Sequence, residues 1–224
     1  MIETTATRMS LTTLIVLILN TTALQSSNQY PLTYNYFGYG SNVVTSTMTD
    51  MRRITPLAIT AAILPNHRLR FNLPGLPGFE PSAASVEPSP GDAVHGLCYT
   101  LTAEDFGKVG QSEGVPFGYK WQPVYVATYV GNDHDAGLQA ALLCKDSTNI
   151  RLVYTLIATF PTLNDIPPSK SYLGLIQQGA SEWKMDRAYQ DNLKQIKYDT
   201  NLLVTNGIAG ATLSWAEMQK KLFR

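Results

Sequence analysis

The order of elements predicts an α+β fold, a single domain built on a mixed or antiparallel sheet. Three observations carry this. Runs with strand character come first, one helix interrupts them, more strands follow and helices close the pattern, with no regular strand–helix alternation. The chain has 224 residues, enough for one domain with a real core and crowded for two. Its hydrophobic fraction of 44% and charged fraction of 15% suit a globular protein and argue against disorder.

Residues 1–29 stand apart from the fold. Arg8 precedes an apolar stretch, LTTLIVLILNTTAL, from Leu11 to Leu24. It falls short of the ~20 residues of a membrane span and has the length of a signal-peptide core. Glu3 weakens the positive start, and no clean small-x-small cleavage site follows. Two readings stand side by side: a signal peptide over residues 1–27, leading to the secretory pathway, or an apolar extension of a cytoplasmic protein. The domain is expected over residues 30–200, with a partly helical tail over 201–224.

Within the domain, TYNYFGYG (Thr33 to Gly40) reads as a buried strand ending in a glycine turn, because aromatics are enriched and two glycines close the run. LAITAAIL (Leu57 to Leu64) is an apolar run that stops at Pro65. HRLRFNL (His67 to Leu73) alternates as a half-buried strand does. From Leu73 to Asp92 the turn signals LPGLPG and EPSPGD predict a long loop, and strand character returns at Ala93 to Leu101. Thr102 can cap a helix that runs to Gly114, with Asp105 three residues on, although Gly107 and Gly110 weaken it. Strands are expected at Val124 to Val130, Leu138 to Cys144 and Arg151 to Phe160, the first two joined by the turn GNDHDAG. After Pro167 and Pro168, Ser169 can cap a helix to about Met185, and a second helix runs from Asp186 to Ile196. No internal repeat is found.

Composition excludes several functions. Formal net charge is zero and no basic run stands out, which argues against a nucleic-acid partner and for a small-molecule site. Cys98 and Cys144 sit in apolar runs without a CxxC or Cys/His cluster, so no zinc site is expected. They read as buried thiols, and their pairing, which needs an oxidising compartment, stays open. His67, His95 and His134 are scattered and form no HExxH, so structural roles are expected. GNDHDAG opens like a calcium loop, but position twelve from Asp133 is Cys144, where a glutamate is needed. Trp121, Trp183 and Trp215 read as packing residues.

Two segments have the chemistry of a site. In YFGYGSN, Tyr36 to Asn42, a strand stops, glycines let the backbone turn, and its N–H groups can converge on an anion or oxyanion. It is neither a dinucleotide fingerprint nor a P-loop, and Ser41 lies in no GxSxG elbow. By itself it is equally an ordinary glycine turn. In QSEGVPFGY, Glu113 falls at the predicted end of a helix, against the unfavourable end of its dipole, a setting that suits proton transfer. By itself it is equally a solvated helix-end glutamate.

Together, in this order, these segments resemble the γ-glutamyl cyclotransferase family. Tyr36, Phe37, Gly38, Tyr39, Gly40, Ser41 and Asn42 match its aromatic-pair, small-residue, YGSN segment, with Gly38 where alanine is common. Glu113, Gly114 and Val115 match its acid/base segment, VYTLIA (Val153 to Ala158) its late strand, and PPSKSYLGLIQQGA (Pro167 to Ala180) its PS-x-x-Y helix start. The resemblance spans about Tyr34 to Ile196, and Asn42 favours the branch proper over the glutathione-specific and γ-glutamylamine branches.

The resemblance implies a small barrel-like sheet with flanking helices. It also implies an activity: cyclisation of a γ-glutamyl amino acid, peptide or glutathione-derived adduct to 5-oxoproline, with release of the amino acid or amine. It assigns acid/base work to Glu113, and substrate binding to the loop Tyr36, Phe37, Gly38, Tyr39, Gly40, Ser41 and to Tyr172. Asn42, Tyr154 and Tyr119 are further candidates for the pocket. No cofactor or metal is called for. The partner expected is a small-molecule γ-glutamyl substrate, and a homodimer is left open. The competing reading is a binding protein that keeps the pocket without catalysis, against which the retained Glu113 argues.

Overall fold

The computed structural model describes residues 32–76, 79–129 and 147–200. The expectations for residues 1–29, for a strand at 138–144, for the GNDHDAG turn and for the 201–224 tail lie outside these residues.

Aromatic TYNYFG forms β1 (Thr33–Gly38). It is followed by a tight helical turn over Ser41–Val43 and another over Thr47–Met51. Two long strands come next, β2 (Ala58–Leu76) and β3 (Glu80–Thr102), then helix α1 (Ala103–Ser112). β4 (Tyr119–Thr128) and β5 (Ile150–Ala158) complete the sheet, and α2 (Lys170–Glu182) and α3 (Arg187–Gln195) close the fold. The strands form a closed barrel in the order β1-β3-β2-β4-β5. Its neighbours are antiparallel except at the seam, where β1 runs parallel to β5 with Tyr36 opposite Tyr154 and Phe37 opposite Thr155. The α+β class and the barrel-like mixed sheet are therefore as expected.

The predicted loop from Leu73 to Asp92 is not a loop. Its residues are the arms of a β2–β3 hairpin, paired from Leu73 opposite Ala83 through His67 opposite Pro88. Prolines and glycines read as breakers, yet a two-stranded ribbon tolerates a proline wherever its missing N–H points away from the partner strand. The two runs on either side of Asn66 are likewise one strand. The register shifts between Pro65 and His67, where Asn66 adopts a φ of 55°, and the strand continues past this bulge. β4 also begins earlier than predicted, at Tyr119, because Tyr119 pairs with Ala158 at the end of β5.

The three helix starts are those expected. Thr102 accepts from the N–H of Asp105 at 3.1 Å, Ser169 from Tyr172 at 3.0 Å and Asp186 from Tyr189 at 3.0 Å. The Trp121 ring packs over Gly110 of α1. Tyr36, Phe37, Leu97, Tyr99 and Leu101 fill the core with Ile63 and Leu64. The apolar face of α2, with Leu173, Ile176 and Ala180, is buried in the same core, each such large side chain worth about 1.5–3 kcal/mol. At Gly179 a Cβ would stand 2.5 Å from Val43 Cγ2, so only glycine lets α2 press onto the Ser41–Val43 turn. That contact ties the end of β1 to α2, and the site lies beside it.

Candidate active site

An open cleft lies where the end of β1, α1, β3, β4, β5 and α2 meet. Tyr36, Tyr39, Gly40, Ser41, Asn42, Glu113, Tyr119 and Tyr172 line it, joined by Ala84 and Leu156. Eight predicted residues thus converge from four stretches of chain.

Three predicted residues do not line it. Phe37 is fully buried in the core, its ring 6.4 Å from that of Tyr39. Gly38 acts through the room it leaves, since a Cβ there would stand 3.0 Å from Asn42 Cβ. Tyr154 is half-exposed and packs its ring on Tyr34 and Phe106. Its place in VYTLIA suggested the pocket, but Leu156, two residues on, is the one that reaches it.

Glu113 caps the C-terminal end of α1, as its sequence position predicted. One oxygen, Oε1, accepts from Asn42 Nδ2 at 3.0 Å and pairs with Arg52 Nη2 at 2.5 Å. The two side chains of the ion pair are only 10% and 14% exposed, so solvent screens the pair little. Arg52 also donates to Ser112 Oγ. Asn42 is held in turn: its Nδ2 donates to Tyr36 Oη at 2.6 Å, and the Tyr99 hydroxyl donates to its backbone carbonyl. Asn42 Oδ1 is buried without a hydrogen-bond partner among the described residues. A buried acceptor without a partner carries a desolvation cost.

The four tyrosines divide by what they do with their protons. Tyr119 donates to the Ala84 carbonyl at 2.6 Å and Tyr39 to that of Leu156, so both serve the walls. Tyr36 accepts from Asn42, and Tyr172 accepts from the Ala84 N–H at 3.2 Å, so each keeps its own proton to offer. Burial above all, with the nearby Glu113 charge adding to it, raises all four phenols well above their ordinary range. They stay protonated at neutral pH, and Glu113 is the one carboxylate of the lining. Among the described residues no group of three or more His, Cys, Asp or Glu gathers to hold a metal ion.

Sequence reasoning missed Arg52, Ala84, Tyr99 and Leu156. Ala84 was hidden by reading its segment as a loop. Arg52 sits in TDMRRI with no pattern to mark it, and only the fold brings it to Glu113.

Comparison with known proteins decides the family. No family model matches the chain. It is 32% identical over 155 residues to the gamma-glutamyl cyclotransferase verK of Clonostachys rogersoniana, covering 62% of this chain and 80% of that protein. The chain belongs to the γ-glutamyl cyclotransferase family. It is also 34% identical over 158 residues to the gamma-glutamyl cyclotransferase gliK of Claviceps purpurea, covering 67% of this chain but 64% of that relative's length. A solved structure titled gamma-glutamyl cyclotransferase shares the fold of this γ-glutamyl cyclotransferase-family chain, with a TM-score of 0.61 at 21% identity over 86% of this chain and 99% of the other.

Proposed function

We propose that the protein is a γ-glutamyl cyclotransferase that converts a γ-glutamyl amino acid, peptide or glutathione-derived adduct to 5-oxoproline and the free amine. The observation that carries this reading is a single carboxylate, Glu113, set among phenols that keep their protons in one cleft. The names of the relatives support it.

The substrate supplies its own nucleophile. Its α-amine attacks the γ-carbonyl carbon, and a five-membered ring closes. Holding such an intramolecular pair in a near-attack geometry can supply about 7–11 kcal/mol of the barrier, so the protein's task is to orient and to move protons. Glu113 takes a proton from the attacking nitrogen as the ring C–N bond forms. It returns that proton to the departing nitrogen as the amide C–N bond breaks. The oxyanion between these steps is stabilised by the backbone at Gly40 and Ser41 and by the Tyr36 hydroxyl. Tyr172 offers its proton to the glutamyl group. No covalent enzyme intermediate is needed.

The test is release of 5-oxoproline from γ-glutamyl-alanine and from glutathione by the wild type and by Glu113→Gln. The variant keeps size and one acceptor but cannot shuttle a proton. Its kcat should fall by about 10²–10⁴-fold while a non-cyclising γ-glutamyl analogue still binds. Binding of the analogue without any turnover by the wild type would instead mark a binding protein.

A further inference from the structure

We propose that Arg52 is a positioning residue for Glu113: together with Asn42 it pins Oε1, so that the proton in transit is carried on Oε2. The inference rests on the reading of Glu113 as the proton carrier.

Glu113 stands where a helix does not help a carboxylate. It caps the C-terminal end of α1, whose last carbonyls point toward it. What holds it comes from elsewhere. Arg52, just past the Thr47–Met51 turn, reaches Oε1 at 2.5 Å, and Asn42, from the loop after β1, reaches the same atom at 3.0 Å. The guanidinium is itself fixed by its second contact, to Ser112 Oγ, which donates to the Val109 carbonyl at 3.0 Å. A planar guanidinium can hold these two acceptors of α1's last turn at once, and a lysine ammonium on a flexible stem cannot hold the same geometry. Oε2 accepts no hydrogen bond among the described residues.

The consequence is asymmetry between the two oxygens. Rotating the carboxyl to exchange them would break both bonds to Oε1. When the attacking amine gives up its proton, the O–H bond forms on Oε2, and Oε1 becomes the carbonyl of a neutral acid that still accepts from Arg52 and Asn42. When the amide C–N bond breaks, Oε2 returns the proton to the leaving nitrogen. Donor and acceptor positions stay in place through both transfers, where a misplacement of about 1 Å can cost about 10²-fold in rate.

The experiment measures 5-oxoproline release from γ-glutamyl-alanine by wild type, Arg52→Gln, Arg52→Lys, Glu113→Gln and the Arg52→Gln/Glu113→Gln double variant. Arg52→Gln should lower kcat by about 10²-fold with KM within about threefold, and Arg52→Lys should not restore it. In the double variant, loss of Arg52 should add nothing to the loss from Glu113→Gln, because the arginine acts only through the carboxylate. A folded Arg52→Gln with kcat within about threefold of wild type overturns the inference, as does an equal further loss in the double variant. If Arg52→Gln does not fold, Arg52→Lys decides: full kcat overturns the inference, and a folded enzyme with depressed kcat sustains it. Wild-type kcat in Glu113→Gln would overturn the reading of Glu113 itself, and the two failures are thereby distinguished.

Discussion

At the scale of single residues, the cleft depends on close approach at Gly40, which has φ −90° and ψ −141°. It matters because a Cβ there would stand 2.8 Å from the Tyr172 hydroxyl. Tyr172 is buried and its hydroxyl is held by the Ala84 N–H, so it cannot simply swing aside. Gly40→Val is therefore expected to displace the Tyr172 hydroxyl and lower kcat/KM by roughly 10²-fold while the protein still folds. Steady-state kinetics with a thermal melt check this, and near-wild-type kcat/KM in a folded variant would remove Gly40 from the site. On the proposed mechanism Glu113→Gln should act differently, through kcat, because the proton Glu113 carries moves only during reaction.

At the scale of elements, α3 meets the barrel through a buried histidine. His95, on β3, stacks on Tyr189 of α3 with ring centroids 4.5 Å apart, and its Nδ1 bonds the Tyr129 hydroxyl at 2.5 Å. Burial pushes the His95 imidazole down to about 4, against a weaker opposite pull from Asp186. The unfolded chain therefore binds this proton more readily than the folded one. The stability contributed by neutral His95 is present above about pH 6.5 and is lost as pH falls toward 4, by up to roughly 3 kcal/mol. Urea midpoints at neutral pH and near pH 4.5 should show the loss, and His95→Gln should flatten that slope. An unchanged slope in the variant would assign the pH dependence to other groups.

At the scale of the whole molecule, the barrel closes through a short seam. β1 and β5 pair at Tyr36–Tyr154 and Phe37–Thr155, and the fully buried Thr155 adds a hydroxyl bond to the Phe37 carbonyl at 2.9 Å. Thr155→Val keeps the shape and deletes this bond, leaving the carbonyl with one partner fewer. The expected cost is about 1–3 kcal/mol, read as a lower urea midpoint at unchanged m-value. A midpoint equal to wild type would show that the seam does not need the hydroxyl. The seam also carries function, since β1 delivers Tyr36 through Asn42 to the cleft and β5 delivers Leu156.

The α+β class, the starts of the three helices, the YFGYGSN turn and Glu113 at a helix end are legible in the chain alone. These are local facts: capping residues, apolar periodicity and glycine turns act over a few neighbours, and Thr102 and Ser169 cap where their side chains predicted. That the segment from Leu73 to Asp92 pairs as a hairpin emerges only in the fold, because a proline reads as a breaker in isolation but is tolerated where its missing N–H points away from the partner strand. That pairing is what brings Ala84 to the cleft. The fold also decided that Tyr154 packs on Phe106 while Leu156, two residues on along the same face of β5, reaches the cleft. Arg52 reaches Glu113 across 61 positions of chain, and no local pattern encodes a contact whose partners are joined only by the folding of the segments between them.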